Sequence, residues 1–172
     1  MPAIEKLGHV GLFCADLEKM RDFYSRFLGL TITDEDLDRG FVFLSANPKE
    51  EHHELALVRP KGEARPTQYL QQMSFIVNSM DDLQDFYRRI KAEGLRINRT
   101  VTHGIACSVY FYDPEDNLVE IYYRTGYDVR QPLNAPIDLE QPKEELLKIA
   151  KSFEAKLGPS LGARFKQATP RS

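Results

Sequence analysis

The chain repeats itself once. Residues 8–28 read GHVGLFCADLEKMRDFYSRFL, residues 71–91 read QQMSFIVNSMDDLQDFYRRIK, and the two align without a gap. Each copy opens on a short apolar strand, passes an acidic turn and continues with the spacing of an amphipathic helix. Asp22, Phe23 and Tyr24 fall on Asp85, Phe86 and Tyr87, and Met20 falls on Leu83. A repeat of this length is one supersecondary unit used twice, each copy burying its apolar face against the other. In the same register, His9 of the first copy falls on Gln72 of the second.

Both copies continue along one plan. In the first, a strand over 7–13 leads to Asp16 as N-cap, and the helix 17–28 carries Met20, Phe23, Tyr24 and Phe27 on one face until Gly29 ends it. Strands follow at 31–33, 40–45 and 53–58, separated by polar turns that include Asn47 and Pro48. In the second, a strand over 73–77 precedes a helix started by Ser79 or Asp81. Its apolar face is Leu83, Phe86, Tyr87 and Ile90, and Gly94 stops it. Strands are expected at 96–98, 105–112 and 117–123. The last two are joined through Asp113-Pro114-Glu115-Asp116-Asn117, where proline suits the second turn position and Asp or Asn tolerates a left-handed backbone. The fold expected is α+β. Two strand-helix-three-strand modules, 7–58 and 72–123, form a half-open barrel around a cavity within one domain, 1–124. A linker rich in proline and charge, 59–67, lies between them.

Beyond this domain, 125–172 follows a different plan. An extended, proline-bearing arm covers 125–141. Pro142 then opens a helix through Leu157, with Leu146, Ala150, Phe153 and Leu157 on one stripe and Gly158-Pro159 at its end. The basic residues Arg164, Lys166 and Arg171 fall in a tail expected to fray.

Composition narrows the partners. The 172 residues carry a net charge of -3, and the pI of about 5.8 argues against nucleic acid, which requires a basic face. Cys14 and Cys107 sit in apolar runs and read as reduced, buried thiols. No secretory h-region and no bilayer-length apolar run is present, so no membrane partner and a cytoplasmic location are expected.

The chemistry-bearing residues stand out against this background. His9, His52, His53 and His103 all lie at or beside strand starts, and the repeat brings several of them towards one cavity. Glu120 interrupts the apolar strand LVEIY. A carboxylate there faces the interior, and buried carboxylates are rare unless paired or bound to metal. His9, Glu120 and one further residue would make a facial set of three ligands with open positions, which suits Fe(II), Mn(II), Zn(II) or Ni(II).

These strings resemble the vicinal oxygen chelate superfamily, which includes glyoxalase I, fosfomycin resistance and bleomycin-binding proteins and extradiol dioxygenases. The resemblance is carried by GHVGLF, by HHELAL at 52–57, by THG at 102–104 and by SVYFYDPEDNLVEIYY at 108–123, together with the repeat. HHELAL with the downstream His-Gly, Ser-x-Tyr-Phe and Glu is most like the small one-domain extradiol dioxygenases, whose C-terminal extension the arm also resembles. The resemblance implies a divalent metal, Fe(II) first, on His9 and Glu120. It implies catalytic roles for His53 beside the dioxygen site, His103 near the substrate and Tyr110 at the catecholate oxygen. The partners it implies are an aromatic diol, dioxygen and a second copy of the chain as a homodimer.

The departure from that pattern is Gln72, which stands where the family has its second metal histidine. An amide oxygen can bind a divalent ion, but it is a harder and weaker ligand than imidazole. Two other readings therefore stand beside ring cleavage. One is a lyase or isomerase using Zn(II), Mn(II) or Ni(II), and the other is a small-molecule-binding protein without catalysis, in which Gln72 is simply a polar strand start.

Overall fold

The structure is a computed structural model that describes residues 9–60, 70, 72–130 and 132–159. The expectations for 7–8, for the linker from 61 onwards and for the tail beyond 159 fall outside the described residues. The fold is α+β, with two mixed sheets and no closed barrel. The chain divides into two compact units, one of residues 1–69 with 113–116 and one of 70–112 with 117–172.

The first unit holds β1 (Val10–Phe13), α1 (Leu17–Asp22) with a π-helical turn (Phe23–Phe27), β2 (Thr31–Asp36), β3 (Phe41–Ser45) and β4 (Leu55–Val58). The sheet order is β1-β4-β3-β2, parallel between β1 and β4 and antiparallel elsewhere. Asp16 caps the helix, its side chain accepting from the Lys19 amide. The helix then widens into a π turn, a feature the repeat does not announce. Leu17, Met20, Phe23, Tyr24 and Phe27 are buried, as are Leu12, Val42 and Leu57, which share a row of the sheet. Each such side chain stabilises the fold by roughly 1.5–3 kcal/mol relative to exposure.

The loop Asp113–Asp116 groups with this unit. The Tyr24 hydroxyl donates to Asp113 Oδ2 at 2.9 Å. The Glu115 carboxylate accepts from the amides of Ala15 at 2.9 Å and Asp16 at 2.5 Å, an anion at the start of a helix where the dipole favours it. Burial, and then the Asp113 charge, hold the Tyr24 phenol well above its ordinary pKa, so it remains a donor. Tyr24→Phe leaves a buried carboxylate one donor short. It should lower unfolding free energy by about 1.5–3 kcal/mol in a denaturant melt. A loss within error would mean the bond contributes nothing.

The second unit holds β5 (Met73–Val77), α2 (Met80–Ala92), β6 (Ile97–Thr102), β7 (Ala106–Tyr112), β8 (Leu118–Arg124), β9 (Ala135–Pro136) and α3 (Lys143–Leu157). Its order, β5-β8-β7-β6-β9, reproduces that of the first sheet and adds one strand. Ser79 is the N-cap of α2. The buried residues of α2 are Met80, Leu83, Gln84 and Ile90, while Phe86 and Tyr87 are only half-buried, unlike Phe23 and Tyr24. Gln84 takes a place in that face because its amide donates to the carbonyls of Leu139 and Gln141, both at 2.8 Å. That pair of bonds ties the arm to α2.

The arm is more ordered than its sequence suggests. Val101 pairs with Pro136 and Thr102 with Ala135, so a proline sits on an edge strand where no ladder N–H is required. In α3 only Leu146 and Ala150 of the expected stripe are buried. Leu157 is exposed. Among the described residues no helix is long and apolar enough to cross a membrane.

Candidate functional site

Corresponding rows of the two sheets differ in chemistry. In the first sheet Gly11, Ala56, Phe43 and Asp34 stand opposite one another across β1, β4, β3 and β2. In the second the row is Ser74, Glu120, Tyr110 and Arg99 across β5, β8, β7 and β6. One sheet thus carries a largely small and aromatic row, and the other a row of polar and ionisable groups.

Glu120 is the centre of the second sheet's cluster. It is 7% exposed, and its Oε2 accepts from Ser74 Oγ at 2.5 Å and from Gln72 Nε2 at 3.0 Å. Gln72 Nε2 also donates to Ser74 Oγ at 2.8 Å. All these donors are neutral, and no Lys, Arg or His pairs with Glu120 among the described residues. A buried carboxylate without a cation is costly. Its donor set therefore fits a bound divalent ion, with Glu120 as the anionic ligand and the Gln72 amide turned to offer its oxygen. Among the described residues no three His, Cys, Asp or Glu side chains converge as a metal-holding group. A set of His9, Gln72 and Glu120 has only two members of those types.

Tyr110 and His103 sit beside Glu120. The His103 Nδ1 lies 2.5 Å from the Leu133 carbonyl and its Nε2 lies 3.2 Å from the Tyr110 hydroxyl. A carbonyl only accepts, so Nδ1 carries the proton, and in the neutral ring Nε2 accepts from Tyr110. The Glu120 carboxylate competes with His103 as acceptor for that single proton. Burial first, then the bond to Glu120 and the Glu120 charge, push the phenol up to about 12, against a smaller opposing effect of Arg99. Tyr110 is thus a neutral donor at ordinary pH.

His103 is held by the fold and not by chance. It follows β6, its amide donates to Ala106 O at 2.8 Å, and the Gly104 carbonyl accepts from Thr125 Oγ1 at 2.6 Å. Gly104 has φ +72°, and a Cβ there would meet the Val129 side chain at 2.7 Å. Both Val129 and Leu133 belong to the arm, which therefore helps to place the imidazole. A cavity of about 300 Å³ in this unit is lined by Ser74, His103, Ala106, Tyr110, Glu120 and Tyr122, among others.

The first unit gathers the other two expected residues. The rings of His9 and His53 have centroids 4.4 Å apart, and Phe43 lies 4.7 Å from His53. His52 Nδ1 and His53 Nδ1 are 3.0 Å apart, so one carries a proton and the other a lone pair. Burial, then the neighbouring His9 and His52, lower the His53 pKa below the usual imidazole range. His53 is neutral near pH 7. His9 directly precedes β1, and Gln72 directly precedes β5, as the repeat requires.

Two members of the polar row were not singled out from the sequence. Ser74 lies two residues beyond Gln72, so the period of a strand puts both on one face. Arg99 is hidden by a β-bulge between Ile97 and its own position, which changes the parity that a sequence pattern relies on. The two thiols lie outside the cluster. Burial pushes Cys14 up to about 12 and Cys107 up to about 11, which leaves both protonated and unreactive at neutral pH.

A family model for the glyoxalase/bleomycin resistance protein/dioxygenase superfamily matches residues 6–121. The chain belongs to this superfamily. Within the superfamily it resembles biphenyl-2,3-diol 1,2-dioxygenase 2 of Rhodococcus globerulus, with 30% identity over 125 residues, 70% of this chain and 64% of that protein. It also resembles the manganese-dependent 2,3-dihydroxybiphenyl 1,2-dioxygenase of Geobacillus genomosp. 3, with 30% identity over 132 residues, 75% of this chain and 38% of that one. The chain therefore spans less than two thirds of the length of these dioxygenases. Among solved structures, lactoylglutathione lyase from Agrobacterium tumefaciens superposes with a TM-score of 0.56 at 19% identity, covering 71% of this chain and 96% of its own. That likeness is one of fold.

Proposed function

We propose that this chain is a metal-dependent extradiol dioxygenase, opening the ring of a catechol-type diol beside its two hydroxyls with both atoms of dioxygen retained in the product. The observation that carries the reading is the buried Glu120 carboxylate, held only by neutral donors and set beside the Tyr110–His103 pair. The similarity to two diol dioxygenases supports it. His9, Gln72 and Glu120 would hold the ion, with Fe(II) or Mn(II) the metals this N/O set suits. When bound, the ion would be chelated by both oxygens of the diol and would let electron density pass from the ring to dioxygen.

The chain's own residues supply the remaining functions. The Tyr110 hydroxyl, neutral at working pH, donates to one diol oxygen and fixes the ring's orientation. His103, its tautomer set by the Leu133 carbonyl, accepts from Tyr110 until the diol enters, and the single phenolic proton then passes from that bond to the diol oxygen. His53, neutral near pH 7, takes a proton at Nε2 or Nδ1 and returns it as the ring opens, a general acid–base role. Tyr122 and Ala106, which line the cavity, provide apolar surface for an aromatic ring.

Ser74 has a positioning role towards Glu120. Ser74→Ala removes a 2.5 Å bond to the carboxylate and should weaken divalent-metal affinity by about 10–100-fold, read by competition with a chromophoric chelator. Unchanged affinity would remove Ser74 from the site.

One observation favours a second reading. The Gln72 amide nitrogen, and not its oxygen, faces Glu120, which suits a polar strand start in a protein that binds its ligand without turnover better than a metal ligand; a lyase with another divalent metal belongs to the same second reading. The deciding experiment is anaerobic reconstitution with Fe(II) or Mn(II), followed by oxygen uptake with a panel of aromatic diols. Uptake matched by ring-opened product supports the dioxygenase. No uptake, with turnover of a thiol hemiacetal or with ligand binding alone, supports the second reading.

A further inference from the structure

The β-bulge at Asn98 turns Arg99 directly opposite Tyr110, as the fourth member of a row whose other three line the cavity. Its guanidinium carbon lies 3.8 Å from the centre of the Tyr110 ring. One Nη donates to Asn98 Oδ1 at 2.5 Å. The Nε–H is buried and meets no acceptor. No carboxylate forms an ion pair with Arg99 among the described residues. Arg99 as a whole is half-buried, and its buried Nε–H without an acceptor is a costly feature in a side chain otherwise placed by Asn98 and the Tyr110 ring. The first sheet has the same bulge, at Thr33, and there the corresponding residue is Asp34 opposite Phe43. The fold therefore accepts an acid at this register position, and the arginine answers a local need.

We propose that Arg99 recognises a carboxylate on the ring of the substrate, so that the preferred substrates are aromatic diols bearing an acid group. This rests on the reading of the cavity as a diol site. Neighbouring strands lie about 4.8 Å apart, so Arg99 stands about 10 Å along the sheet from Glu120. A diol whose oxygens lie beside Glu120 and Tyr110 crosses that interval with its ring, and a ring substituent meets the guanidinium. The planar guanidinium fork matches a carboxylate through two parallel bonds, which lysine cannot reproduce.

The test is equilibrium binding, by calorimetry without oxygen, to the full chain loaded with Mn(II). The probes are catechol and a dihydroxybenzoate with adjacent hydroxyls. The wild type should bind the acid at least about tenfold more tightly than catechol. Arg99→Gln should remove that preference while changing catechol affinity by less than about threefold, and Arg99→Lys should retain part of it. Wild type without a preference for the acid overturns the proposal even if Arg99→Gln fails to fold. An equal loss for both probes assigns Arg99 to holding Tyr110, and also overturns it. Acid binding through Arg99 with no ring cleavage of any diol would leave this inference standing and remove the dioxygenase reading. Binding of neither diol would remove both.

Discussion

Replacing Glu120 by alanine should abolish stoichiometric divalent-metal binding and reduce ring cleavage to background. Among the described residues the side chain is the one buried carboxylate lining the cavity, and it is the only anionic member of the expected ligand set. Its loss removes the charge that would neutralise the ion and leaves an amide and an imidazole, a pair too weak to hold a labile metal. The effect should exceed the 10–100-fold typical of removing a residue that merely supports a ligand, and so exceed that of Ser74→Ala. Glu120→Gln keeps the size and the neutral donors of Ser74 and Gln72 around it, which separates loss of charge from loss of packing. Elemental analysis after dialysis reads the result. Full metal content in Glu120→Ala would place the ion elsewhere.

His53→Ala should behave differently. It should keep metal and diol binding and lose about 10²–10⁴ in turnover, the usual span for a positioned acid–base group. The imidazole packs on His9 and Phe43, and its depressed pKa leaves it neutral and able to accept a proton. Single-turnover kinetics with bound diol would report the chemical step alone. A variant with wild-type turnover, or one that also loses its metal, would contradict this assignment.

The fold was legible because the repeat is ungapped and its strands keep period two. The equivalent places of His9 before β1 and of Gln72 before β5 follow from that register, whereas the β1–β4 and β5–β8 pairings do not. Glu120 was visible as a charge inside an apolar strand, and alternation put Tyr110 on one face with Ser108 and Tyr112, but only the β7–β8 pairing sets Tyr110 beside Glu120. What the pattern concealed has physical causes. Bulges in β2 and β6 shift parity, so Arg99 could not be assigned to a face. The β9 pairing depends on a free edge of β6, and the proline in that segment hides it. Gln84 is buried for the sake of two arm carbonyls far along the chain. The same arm supplies the Leu133 carbonyl that sets the His103 tautomer, a role that a segment without periodicity does not disclose.

The central claim, ring opening by dioxygen, is tested most directly by mass spectrometry of the product formed from an aromatic diol under isotopically heavy dioxygen. The metal-reconstituted chain should give a ring-opened product that carries both heavy oxygen atoms, with cleavage beside the hydroxyl pair. Unchanged diol, or a product that takes up no heavy oxygen, would contradict it.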